Sequence, residues 1–189
     1  MSSGRVRVWK EKLRPYYFRM LAAALIVLSV MFLFGRSFQF VLVVSGLIAA
    51  ASLSTFYQNF FKSPVNFELI KFSTVLASAG YGVVTGLAVG IISTIASKII
   101  SEKLDQTSFP SLIGIVVVAV AASMFSSVGI DNIVWLGMAM VVIYHAITAP
   151  IQMALGGTFA YGIVYVGSNL AFNFIIFSRL APLVFGAMA

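Results

Sequence analysis

Three groups of polar residues stand inside otherwise apolar stretches of this chain, and any chemistry must come from them. The first is Glu68 with Lys71. An acid and a base three residues apart can pair on one helix surface, and charge held in or near lipid is costly enough to mark a functional site. The alternative is that both lie at the interface with their charged ends in water. The second group is Tyr161, Tyr165, Asn169 and Asn173, each four residues after the one before. Polar side chains on one line of an apolar helix must face the protein interior or a wet cavity. There they either bind a solute or tie helices together at about 0.6 kcal/mol per hydrogen bond. The third is Tyr144, Thr148 and Gln152, with His145 beside them. A lone histidine is either a hydrogen-bonded packing residue or a contact to a ligand or proton. From these groups the candidate substrate-binding residues are Glu68, Lys71, His145, Gln152, Tyr161, Tyr165, Asn169 and Asn173.

Catalysis is not expected. The chain has five carboxylates, one histidine and no cysteine, and no two of the carboxylates are adjacent in a motif. A hydrolase needs a nucleophile with its base, and a metalloenzyme usually needs several His, Asp, Glu or Cys ligands. Paired-histidine haem ligation and thiolate or iron–sulfur chemistry are excluded by the same counts. No catalytic residue, metal or cofactor is assigned.

The elements that must position these residues are membrane helices. Over 189 residues, 61% are hydrophobic and 9% charged, against roughly 25% charged in soluble domains. The length allows about six or seven crossings of roughly 20 residues and no separate soluble domain. The expected fold is an all-α integral membrane protein: a compact bundle of six to seven transmembrane helices with a glycine-striped central helix. Residues 1–15 form a basic cytoplasmic arm and residues 16–189 a single polytopic membrane domain. The net charge of +7 calls for no nucleic acid, because Arg5, Arg7, Lys10, Lys12, Arg14 and Arg19 are half of the twelve basic residues and precede the first apolar run. That is the positive-inside pattern, strengthened by anionic headgroups. It puts the N-terminus in the cytoplasm of a multi-pass protein of the cell membrane.

Apolar runs place helices at about residues 16–34, 38–57, 65–79, 82–101, 108–125, 132–155 and 158–177. The last residues, 178–189, turn along the interface. In the second helix Gly46, Ala49, Ala50, Ala51 and Ser52 form a small-residue face that should pack on a neighbour. In the fourth, Gly82, Gly86 and Gly90 recur every four residues. Such a bare stripe lets another backbone approach closely, which makes this helix the expected centre and these glycines its packing residues.

The order N-F-E-L-I-x-F-S-T-V-L, G-Y-G, G-x-x-x-G from Asn66 to Ile100, with Asn169 and Asn173 in NLAFNFIIFSRLAP, resembles the substrate-specific subunits of energy-coupling-factor vitamin transporters. The resemblance covers roughly residues 38–182 in layout. It implies a six-helix membrane domain that binds a vitamin-like solute near the outer face and docks on a transmembrane coupling protein with two ATPases. Glu68, Lys71, Tyr165 and Asn169 are then pocket positions. The chain differs in having seven apolar runs, and only Gly46 to Ala50 where the family has an alanine-x-x-x-alanine docking motif. The competing class is a structural or assembly subunit of a larger membrane or cell-envelope complex, in which the same faces bind other membrane subunits and lipids.

Overall fold

The computed structural model describes residues 38–60, 65–103, 108–125 and 132–188. The basic arm and the first apolar run, about residues 16–34, lie outside these. Six α-helices make up the described chain: α1 Phe38–Leu53, α2 Ile70–Tyr81, α3 Val83–Ile100, α4 Ser108–Met124, α5 Ile133–Ala154 and α6 Phe159–Gly186. A 3-10 turn at Phe56–Asn59 follows α1, and no strand occurs among the described residues. The stretches Gln39–Asn59, Val83–Ile100, Ile133–Ala154 and Gly162–Gly186 are long and apolar enough to cross a membrane.

The central element is α2, not the glycine-striped helix that follows it. Every residue from Ile70 to Ala79 is buried, and α2 packs against all five other helices. Its length explains its place. Twelve residues rise about 18 Å, well short of a hydrocarbon core of about 30 Å. The longer helices therefore enclose it, and its small Ser73, Thr74, Ala77 and Ser78 let them come close. Two of its hydroxyls are satisfied by backbone carbonyls, Thr74 donating to that of Ile70 at 2.7 Å and Ser73 to that of Leu47 in α1 at 3.1 Å.

The glycines divide by role. An added Cβ at Gly86 would run into Ser78 of α2, and one at Gly90 would meet Thr74 of α2 and Ile115 of α4. These two are the close-packing contacts that the spacing predicts, and the pairings 78 with 86 and 74 with 90 make α2 and α3 an antiparallel hairpin. Gly82 does something else. It has nothing within 4 Å of its Cβ position and adopts φ +89°, ψ 171° as the single residue between the helices. That backbone region is essentially glycine's alone. The stripe is thus one joint and two contacts.

Other expectations shift for comparable reasons. The helix expected from residue 65 starts at Ile70, leaving Asn66 to Leu69 outside it. The helix expected to end near Phe177 runs through Pro182 to Gly186, so its tail does not turn away. Phe177 is fully buried, with its ring filling the space over Gly137 of α5 and lying 5.2 Å from that of Phe72 in an edge contact. That packing carries α6 onward. On α1 only Ala51 and Ser52 of the small-residue face are buried, while Gly46 has open space beside it. Between α1 and α6 there remains an apolar groove of about 470 Å³, lined by Leu42, Gly46 and Ala50 on one side and Leu180, Leu183 and Ala187 on the other.

Candidate functional site

Glu68 stands two residues before α2, and the segment that carries it is held by side chains rather than by helix bonds. The Tyr57 hydroxyl donates to the Val65 carbonyl at 2.9 Å and accepts from the Phe67 amide at 2.8 Å. Ser54 Oγ takes the Leu69 amide at 3.0 Å, and Ser168 Oγ of α6 takes the Asn66 amide at 3.0 Å. Gln58 Nε2 donates to Asn66 Oδ1 at 3.1 Å, and Lys103 Nζ to Gln58 Oε1 at 2.9 Å. Buried backbone groups outside a helix need such partners. Polar residues just past the ends of α1 and α3, and Ser168 within α6, supply and brace them.

This bracing places Glu68 where Lys71, in the first turn of α2, reaches its Oε1 in a salt bridge. Lys71 is fully buried and the Glu68 carboxylate nearly so. The ion pair therefore belongs to the interior and does not extend its ends to a water interface. It also spans a helix start, not one helix face. Lys71 Nζ sits 4.2 Å from the centroid of the Tyr144 ring, a cation–π contact that holds a desolvated ammonium more strongly than an exposed one. The Tyr144 hydroxyl in turn meets Ser111 of α4.

Beside this pair, α5 and α6 bring His145, Asn169 and Asn173 together, all buried. His145 Nε2 lies 2.9 Å from Asn169 Oδ1. Asn173 Nδ2 donates to the Asn169 carbonyl at 2.9 Å and to its Oδ1 at 3.1 Å. Asn169 Nδ2 reaches back to the Asn66 carbonyl at 3.4 Å, which ties this triad to the segment holding Glu68. The Tyr165 ring stands edge-on to His145 with centroids 5.9 Å apart. Three polar atoms in this nest, Asn66 Nδ2, His145 Nδ1 and Asn173 Oδ1, are buried with no hydrogen-bond partner among the described residues. The Asn66 amide nitrogen faces the Glu68 carboxylate but lies outside hydrogen-bond geometry.

Of the eight residues singled out by the sequence, six converge here: Glu68, Lys71, His145, Tyr165, Asn169 and Asn173. Gln152 does not. It is half-buried two turns further along α5, where the flanking residues from Met153 onward are exposed. Tyr161 lies within α6, and its side chain is outside the described structure. Sequence reasoning passed over Asn66, whose signal was an amide two residues before a buried acid. It also passed over the role of Tyr144 as the platform under Lys71, which only the approach of α5 to α2 reveals.

Among the described residues no group of three His, Cys, Asp or Glu is placed to hold a metal ion. The arrangement brings together a neutralised ion pair, aromatic edges and buried polar atoms inside an apolar bundle. No protein-family model, curated protein or solved structure matches the chain.

Proposed function

We propose that the chain is a membrane-embedded solute-binding subunit of a transporter for a vitamin-like small molecule. The observation that carries this reading is the set of three unpartnered polar atoms in the nest. Leaving such an atom buried and unsatisfied costs about 1–3 kcal/mol, a cost that a bound polar molecule or its displaced water offsets. The test is a thermal-shift screen of vitamins and their precursors on the purified protein and on Asn169→Leu. The parent is expected to be stabilised by at least one compound. The variant is expected to bind it more weakly by at least ~1 kcal/mol and also to lose stability, since His145 then lacks its partner and Asn173 keeps only the backbone carbonyl of residue 169. A parent that responds to no compound sinks the reading.

The family resemblance adds a coupling protein and two ATPases as partners. The apolar groove between α1 and α6 supports a membrane-protein or lipid contact in either reading. It is also the observation that favours the alternative, a non-catalytic assembly subunit of a larger membrane or envelope complex. A blank screen together with a destabilised Asn169→Leu would select that alternative.

The basic arm supports a cytoplasmic N-terminus in the cell membrane. Seven crossings would then put Lys98 and Lys103, which lie at the same end of the bundle as Glu68, on the cytoplasmic side too. The resemblance implies an outward-facing site instead. Because the chain contains no cysteine, Ser3→Cys and Lys103→Cys can each be probed in intact cells with an impermeant maleimide. With seven crossings both stay unlabelled until the cells are permeabilised. Labelling at position 103 alone would show an odd number of crossings between the two and an outward site, and labelling at position 3 would overturn the cytoplasmic arm.

A further inference from the structure

The apolar groove between α1 and α6 has a floor as well as two walls. Phe72 and Ser73 of α2 lie beneath it, and Ser73 has already given its hydroxyl to the Leu47 carbonyl. Two walls and a floor of helix make a channel of the kind that one more helix fills, its side chains seating between the ridges of its neighbours. The space is open along its length: Gly46 has nothing within 4 Å of its Cβ position, and Leu183 on the facing wall is 71% exposed. What decides the occupant is where the chain enters. Gln39, the second residue of α1, donates from Nε2 to the carbonyl of Ala187 at 2.7 Å, and Ala187 caps α6 and lines the groove. The start of α1 therefore stands at one end of the groove.

Immediately before Phe38 come Gly35, Arg36 and Ser37, and before these the apolar run at about residues 16–34, outside the described residues. A connection this short makes consecutive helices antiparallel neighbours, so the run returns along α1. One side of α1 is already taken, since Phe40, Val44, Leu47, Ile48 and Ala51 are buried in the core it shares with α2 and α3. The groove is the concave surface on its open side. Charge agrees with this course. Returning from Phe34, the run brings Arg14 and Arg19 to the far end of α1, where Asn59 bonds the Ile100 carbonyl at 2.9 Å and Lys103 bonds Gln58. The basic residues of the arm and of the α3 end then gather at one membrane face, as the positive-inside pattern requires. We propose that residues 16–34 of this chain seat in the groove between α1 and α6, antiparallel to α1. The short α2 is then covered on this side too, and the contact with lipid or another membrane protein is made through the outer side of the run.

The chain contains no cysteine, so pairs of cysteines can be placed in the full-length protein and oxidised in native membranes, a disulfide forming only where the two Cα atoms come within about 7 Å. Gly46 lies ten residues after Arg36, the middle of the connection, so its antiparallel partner is Ile26. Leu183 stands four residues before Ala187 and is level with Val43, which makes its partner Ser29. Gly46→Cys is expected to link with Ile26→Cys or a neighbour within one turn, and Leu183→Cys with Ser29→Cys or a neighbour. Each should link at least about tenfold more than the same positions do with Ile163→Cys, which is exposed on α6 about 30 Å from Leu183. The linked peptides are read by mass spectrometry. Open space at Gly46 and exposure at Leu183 let cysteine enter without disturbing the fold. The link to position 183 decides, because the connection alone brings the run near α1. A link to 46 with none to 183 puts the run on the other side of α1 and overturns the proposal. Links between two chains instead of within one give the groove to a second copy, and no link at either position leaves it to lipid or another membrane protein; both overturn it as well.

Discussion

Replacing Lys71 alone with methionine is expected to lower the stability of the purified protein by about 3–5 kcal/mol, whereas the double change Glu68→Leu with Lys71→Met should recover most of that loss. The asymmetry follows from burial. Lys71 has no exposed surface, and its partner carboxylate is nearly as enclosed. Removing the ammonium leaves a carboxylate with neither water nor counter-charge, and Tyr144 loses the cation over its ring. Removing both charges together leaves apolar side chains in an already apolar surround, which is often neutral. Unfolding measured by detergent titration or heat on the two single variants and the double variant gives the coupling directly. A methionine variant as stable as the parent would mean that the pair is wet and worth no more than an exposed ion pair, roughly 0–1 kcal/mol. The same three proteins also bear on function. The double variant is expected to keep its fold and lose the polar wall of the nest, so any ligand-induced shift should weaken with it.

How far the sequence discloses this site depends on the range over which each feature is set. The line Tyr165, Asn169, Asn173 is local: four-residue spacing on a helix puts the side chains on one face whatever lies opposite, and an apolar surround forces that face inward. The Glu68 and Lys71 pairing was legible from their closeness along the chain, although the bridge spans the start of α2 and not one helix face. What could not be read is which elements come opposite. Gln152 continues the spacing of Tyr144 and Thr148, but α5 is 22 residues long and its buried face runs from Ile133 only as far as Thr148. Nothing local marks where that burial ends. Asn66 escaped notice because its importance comes from contacts to Gln58 and Asn169, 8 and 103 residues away. The helix order was largely visible in the apolar runs. The identity of the central helix was not, because a stretch of glycines signals close approach but not which of the two helices is enclosed. Length was the better guide: the shortest helix, α2, had to be covered by the longer ones.

The largest steric effect is expected at Gly86, where leucine should destabilise the protein by about 3 kcal/mol or more, at the upper end of overpacking costs. The reason is what lies opposite. A Cβ at this position would come within 2.9 Å of the Ser78 Cα and 2.7 Å of its Cβ, so the obstacle includes backbone and cannot rotate away. Ser78 is itself fully buried, one turn before the Gly82 joint of the α2 and α3 hairpin. The two helices can accept leucine only by separating, which also pulls Gly90 from Thr74 and Ile115. Dispersion is what holds apolar helices together in lipid, and it falls steeply with such a gap. Two companions make the measurement specific. Gly46→Ala meets nothing within 4 Å and should change stability by less than about 0.5 kcal/mol. Gly82→Ala also meets nothing, yet should cost about 1–3 kcal/mol because its backbone conformation excludes a side chain. Steric crowding alone would rank position 82 with position 46, and a uniform tolerance of glycine replacement would rank all three together. If Gly86→Leu unfolds at the same temperature as the parent in detergent, α3 does not seat on α2 as described, and the enclosure of Lys71 that depends on that seating would have to be reconsidered.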